Sequence, residues 1–390
     1  MFSNCLNRKS QFTFALIYLF VTSLATPAAA AEQFKFPLPH ISGLKVTAGD
    51  TFVIPGASNS IAFRFRDGRI VVVGKDHGVW SIDGGRTWTK GPRGPMSKTV
   101  IDLGSGEILM FGSSSSARDD GRYELPVVRS IDNWQTQTDE LALFNIPRAT
   151  FCGGDDGARH SGMIAHHGVL QLKNDDLMIT MYGNYQGDNE LADAYPVEFN
   201  MRKYRTIVVF SSDRGKTWGH PVTVAYKRML ARGLDSDSSV ISYRDVPAVT
   251  QEGFCEPDLT RAPNGDIICM MRSGGRIGVG NVPIFPTPMY ASRSSDEGKT
   301  WTTPVQVADR GVCPYLVTLD NGIIVCSYAR PGNWLIFSDD NGQTWKGEFM
   351  INTRDSYCKV LAVAPDKILT IYHADGKIKG TFFTVQKNTQ

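Results

Sequence analysis

No Cys-x-x-Cys pair occurs in this 390-residue chain, although it holds seven cysteines. Neither a thiol-redox motif nor a zinc ribbon is therefore indicated. Blocks of like charge are missing too. The 41 lysines and arginines are interspersed with 39 aspartates and glutamates, for a formal net charge of +2. That distribution offers no basic stripe to nucleic acid and no charged tail. Helical periodicity appears nowhere, which argues against a helical or mixed fold. One apolar run, Phe12 to Ala25, stands out. It is shorter than the roughly 20 residues a membrane-spanning helix needs.

That run follows Arg8 and Lys9 and ends in "TPAAAAEQ". A basic start, a short apolar core and small residues at Ala28 and Ala30, or Ala29 and Ala31, describe a signal peptide. Residues 1–31 are expected to be removed and 32–390 to form one domain. The protein is then exported, to the periplasm or beyond, with no membrane span after cleavage. Six cysteines remain: Cys152, Cys255, Cys269, Cys313, Cys326 and Cys358. Export permits disulfides, but a chain this long does not need them, and buried thiols are expected.

Internal repetition is the strongest signal. "SIDGGRTW" (81–88), "SSDRGKTW" (211–218), "SSDEGKTW" (294–301) and "SDDNGQTW" (338–345) share the pattern Ser-x-Asp-x-Gly-x-Thr-Trp. "SIDNWQTQ" (130–137) keeps Ser130, Asp132 and Thr136 without the glycine and tryptophan. The aspartate can accept backbone N–H groups further along the turn. Glycine supplies a backbone angle other residues resist, and tryptophan packs the turn against the core. The pattern is a stapled turn, so Asp83, Asp213, Asp296 and Asp340 are structural.

Six apolar hairpins recur along the chain, at 61–74, 100–112, 168–183, 257–272, 314–330 and 359–373. Each unit reads as strand, turn, strand, loop, strand, stapled turn, strand. Six four-stranded antiparallel sheets imply an all-β fold, a six-bladed β-propeller. The segment between Tyr182 and Tyr204 is the longest insertion and is expected to be a functional loop.

The stapled turn is the motif called the Asp-box, and six blades carrying it resemble the sialidase (neuraminidase) superfamily over nearly all of residues 32–390. The resemblance implies site residues in a set order. Glu256 of "FCEPDL" matches the glutamate opening the inner strand of blade four, and Arg272 of "MMRSGG" the arginine after its second strand. Arg330 of "SYARPG" matches the blade-five arginine, and Tyr357 of "DSYCKV" the tyrosine opening blade six. Alone, Glu256 and Arg272 read as a structural ion pair; the four together, in family order, read as a site. Retaining glycosidases generally use a carboxylate nucleophile, with tyrosine in sialidases as the exception. A substrate carrying its own carboxylate repels an anionic attacker, and a phenol avoids this. Its pKa near ~10 calls for a base, the role the resemblance implies for Glu256. Arg272 and Arg330 are implied to hold the substrate carboxylate.

The chain departs from the family at the first blade. Val53 of "FVIP" stands where an arginine is usual, and Arg64 and Arg66 lie near the turn end of the first strand, away from the site. Either Arg118 or Arg159 replaces that arginine, or the substrate is not an ordinary sialic acid. Asp76, in "VVVGKDHGVW", is the expected acid/base, with Asp119 and Asp120 of "SSSSARDDGRYELPVV" as alternatives and Arg118 beside them as a substrate contact. Arg159 and His160 are further expected substrate contacts, close in sequence to His166 and His167. A metal at these histidines would need partner ligands the sequence does not specify; a histidine base would suit a uronate lyase. The resulting expectation is an exo-glycosidase releasing terminal acidic sugars, sialic or related ulosonic acids. The rivals are a uronate-polysaccharide hydrolase or lyase and a non-catalytic glycan-binding propeller. The expected partner is a glycan, and no cofactor is expected, with structural calcium left open.

Overall fold

The computed structural model describes residues 26–27, 29–150, 162–192, 202–226, 253–273 and 288–388. Cys152, Arg159, His160, residues 1–25 and part of the 182–204 insertion lie outside them. The described residues form strands and turns with no helix. The strand Thr26–Pro27 precedes the expected cleavage point, and the strand Ala29–Glu32 spans it.

The strands gather into four-stranded antiparallel units. Unit one runs from Ala57–Arg64 to Thr87–Gly91. Unit two runs from Thr99–Gly104 to Thr138–Phe144. Unit three runs from Ile164–Gln171 to Thr217–Ala225, and unit four from Cys255–Arg261 to Val305–Ala308. Unit five runs from Val312–Thr318 to Lys346–Asn352. Unit six has Cys358–Ala364, Lys367–Ala374 and Lys377–Lys387. Its fourth strand is Leu44–Val53, from the other end of the chain, paired antiparallel with Lys377–Lys387. Each expected hairpin is the first strand pair of a unit. The pattern did not announce two features: the N-terminal strand in unit six, and a parallel contact, Leu143 to Thr217 and Phe144 to Trp218, that joins units two and three.

First strands run side by side: unit two beside three, three beside four, four beside five, five beside six, six beside one. Apolar clusters fill the space between consecutive units. Phe65, Val71, Ile108 and Trp134 join units one and two. Val72, Val79, Leu361 and Leu369 join units six and one. These are the alternating inward residues of strands whose second faces also meet a neighbour, which is why second strands such as Ile267–Arg272 are buried along their length. The five described cysteines are buried.

The stapled turns form as the chemistry predicts. In all five, serine donates to aspartate Oδ1 at 2.8–2.9 Å. The same serine oxygen accepts an N–H from four residues on, from Gly85, Trp134, Gly215, Gly298 or Gly342. Threonine N–H and hydroxyl close the ring on the aspartate. "SIDNWQTQ" keeps this network although Trp134 takes the glycine position at φ 71°. Its indole is buried between units one and two, bonded to the Arg93 carbonyl at 3.2 Å, which holds the strained angle in place.

Candidate active site

The ends where first strands begin carry a dense set of polar side chains. Four first strands have register shifts there, between Ala57 and Ala62, Ala165 and Val169, Cys255 and Asp258, and Val312 and Tyr315. His167 (φ 41°), Glu256 (φ 47°) and Cys313 (φ 52°) sit within these bulges in the left-handed region. A bulge re-aims side chains that strict alternation would send elsewhere. Pro257 and Pro314, which follow two of them, cannot donate to a ladder and suit such a break.

Glu256 and Arg272 meet, as the pairing of Cys255 with Arg272 dictates. Glu256 Oε1 lies 3.0 Å from Arg272 Nη1, and both side chains are buried. Glu256 Oε2 accepts the Cys313 N–H at 2.9 Å. Burial alone would raise this carboxyl, but the Arg272 guanidinium, with Lys98 nearby, overcomes it and holds Glu256 at about 2. The carboxylate faces a cavity of about 560 Å³, lined among others by Ile61, Lys98, Met110, His166 and Tyr182.

Tyr357 opens unit six beside this group. Its carbonyl accepts the Ser60 hydroxyl at 3.1 Å, which ties it to unit one. Lys98 Nζ lies 4.1 Å from its ring centre and the Arg330 guanidinium 5.3 Å from it. Burial and the Glu256 charge push the phenol up to about 12. Around Glu256 the site therefore sets the neutral phenols Tyr357 and Tyr182 and three cations, Lys98, Arg272 and Arg330, with positive charge in excess.

Below them the rings of His166, His167 and Tyr315 stack, with centroids 3.8 and 3.9 Å apart. Burial drives His166 down to about 3, so it is neutral. Asp258 accepts the N–H groups of Leu259 and Leu316 at 2.8 Å each, and burial raises it to about 6.

The other expected residues are distributed unevenly. Asp76 lies on the turn after the second strand of unit one, at the end where the first strand begins. Its side chain is 72% exposed and bonds His77 Nδ1 at 2.6 Å, the main cause of its lowered pKa. Arg118 pairs with Glu124 at 2.8 Å and Asp120 at 3.4 Å, and Asp120 with Arg122 at 2.6 Å, on an exposed loop of unit two that also carries Asp119. Asp76, Arg118, Asp119 and Asp120 do not line the cavity, and neither do Tyr357, Arg272 and Arg330, whereas Glu256 and Lys98 do. Val53 is opposite Lys379 in unit six, and Arg66 bonds Asp102 and Gln171 at the turn end. Sequence reasoning passed over Lys98 and Cys313. Lys98 immediately precedes the first strand of unit two, the position Tyr357 holds in unit six, and that shared position is the signal that could have found it.

A family model described as BNR/Asp-box repeat matches residues 336–346. The chain carries an Asp-box. Among curated proteins nothing matches it. Among solved structures, a protein of unknown function from Dyadobacter fermentans DSM 18053 is similar at 17% identity and TM-score 0.60, over 88% of this chain and 100% of that one. The GH93 alpha-L-arabinofuranosidase of Fusarium graminearum, in complex with arabinobiose, is similar at 14% identity and TM-score 0.50, over 92% and 98%. Trypanosoma rangeli sialidase with sialic acid follows at 16% and 0.43, over 93% of this chain and 58% of that one. The likeness to the first two is one of fold.

Proposed function

We propose that the protein is an exported six-bladed propeller glycosidase that releases terminal acidic sugars from glycans. The observation that carries this reading is the placement of Tyr357 between Lys98 and Arg330, beside the buried Glu256–Arg272 pair. Excess positive charge suits a sugar carboxylate, and a neutral phenol can approach a carbon bearing that carboxylate without repulsion. In this reading Tyr357 attacks the anomeric carbon and Glu256 receives the phenolic proton. Arg330 and Arg272 orient the sugar, and water then attacks the anomeric carbon of the aryl glycoside so formed, releasing the tyrosine with overall retention. Asp76 protonates the leaving oxygen from the rim; of the alternatives, Asp120 is already held by Arg122 and Arg118.

The test is turnover of a fluorogenic sialoside by residues 32–390, followed by ulosonic-acid and uronate glycosides. Wild-type turnover is expected to fall by at least about 100-fold in Tyr357→Phe and Glu256→Gln. Asp76→Asn is expected to lose more activity on natural glycans than on substrates with an activated leaving group. Activity retained in Tyr357→Phe overturns the tyrosine mechanism. No turnover of any acidic glycoside by folded protein overturns the substrate reading.

A further inference from the structure

Behind the cavity wall His166, His167 and Cys313 come together, each buried, with one potential ligand atom from each within 4.8 Å of the others. Three details set this group apart from ordinary core polar residues. First, His167 Nδ1 is 3.0 Å from the Pro314 carbonyl, so that nitrogen carries the proton and Nε2 keeps its lone pair. Nε2 faces Cys313 Sγ at 3.6 Å. Second, His166 hydrogen-bonds the Pro257 carbonyl, while its buried Nδ1 has no partner. Each imidazole is thus anchored to a backbone carbonyl and leaves one nitrogen for the cluster, the arrangement that orients metal-bound histidines. Third, His167 and Cys313 both sit in the left-handed region, in bulges of units three and five.

We propose that His166, His167 and Cys313 bind a divalent cation of the zinc type, with an open fourth position toward the cavity that His166 lines. Two imidazoles and a thiolate select a borderline-soft ion over calcium or magnesium. Tetrahedral zinc, with bonds of about 2.0 Å to nitrogen and 2.3 Å to sulfur, places those two ligands roughly 3.6 Å apart. The observed separation of Cys313 Sγ and His167 Nε2 already equals this. The His166 ligand atom lies within 4.8 Å of the other two, so its ring turns off the stack to complete that geometry. Binding releases one proton from Cys313, as metal–thiolate formation requires. Lys98 Nζ, 3.8 Å from Sγ, is placed to donate to the thiolate, and Glu256 touches the same residue through its N–H. The ion ties unit three to unit five behind the first strand of unit four, and so braces the strand that carries Glu256.

This proposal does not rest on the glycosidase reading, and its test does not use that activity. Purified chain 32–390 is stripped with chelator, titrated with Zn²⁺ alone, and assayed for bound metal and thermal unfolding; Co²⁺ is titrated in parallel. One zinc per chain, a raised unfolding temperature and a near-ultraviolet thiolate-to-cobalt band are expected. Cys313→Ser abolishes the band, and His167→Gln weakens zinc binding by at least about 100-fold. Folded wild type that shows no cobalt–thiolate band overturns the proposal, whatever the variants do. A band that survives in Cys313→Ser overturns it too. Should Cys313→Ser not fold, His166→Gln takes its place, and undiminished zinc affinity in that variant counts against the site.

Discussion

Lys98 brings a cation to the Tyr357 ring that the sequence pattern did not assign. The first-blade arginine expected from the resemblance is absent, and Val53 lies in an outer strand of unit six. Lys98 enters the same cavity from unit two and hangs over Tyr357. If it contacts a substrate carboxylate, its ammonium acts as a point charge with no bidentate geometry to lose. Lys98→Met is therefore expected to raise KM for an acidic glycoside by about tenfold, the size of one partly exposed ionic contact, with a smaller change in kcat. Lys98→Arg is expected to recover most of the loss. Steady-state kinetics on both variants decides this: an unchanged KM in Lys98→Met removes Lys98 from the substrate site.

At the scale of the element, the stapled turn makes acid stability legible. Asp132 is held at about 2 by the N–H and hydroxyl of Thr136. Asp83, Asp213, Asp296 and Asp340 are also lowered: partial burial pushes them up, and the threonine and serine hydrogen bonds prevail. A carboxyl whose folded pKa lies below its unfolded value stabilises fully above the unfolded value, and that stability is lost as pH falls toward the folded value. The window here runs from about pH 4 down to about pH 2. Thermal unfolding followed across that window is expected to show a steep fall, shallower in Asp213→Asn. At neutral pH Asp213→Ala is expected to cost about 0.5–1.5 kcal/mol, because it removes the acceptor that the exposed N–H groups of Lys216 and Thr217 share. An Asp213→Asn profile parallel to wild type contradicts this assignment.

At the scale of the whole molecule, stability depends on joining the two ends of the chain. Leu44–Val53 supplies the outer strand of unit six, and Phe52 and Ile54 enter the cluster between units six and one. Phe34 adds an edge contact to Phe383, with centroids 5.2 Å apart. A variant that begins at Gly56 leaves Lys377–Lys387 as an open edge and exposes that cluster. It is expected to unfold without a single cooperative transition in urea, whereas a variant beginning at Glu32 unfolds in one. A sharp two-state transition for the shorter variant shows that the clasp is dispensable.

Local chemistry was readable because it repeats. Ser-x-Asp-x-Gly-x-Thr-Trp specifies its turn through bonds made within five residues, and apolar hairpins announce their strands through period and turn residues. The chain alone therefore determined the all-β architecture, the hairpins of each unit, and the meeting of Glu256 with Arg272, which face each other across one hairpin. Everything else at the site joins residues far apart in sequence. Lys98 reaches Tyr357 across 259 positions, counting from the two residue numbers, and His167 meets Cys313 only because two bulges turn both toward unit four. Such contacts leave no local pattern, since a bulge is one extra residue whose position only the neighbouring strand defines. The tertiary structure alone decided that a lysine, a cysteine and two histidines gather beside the carboxylate and the tyrosine.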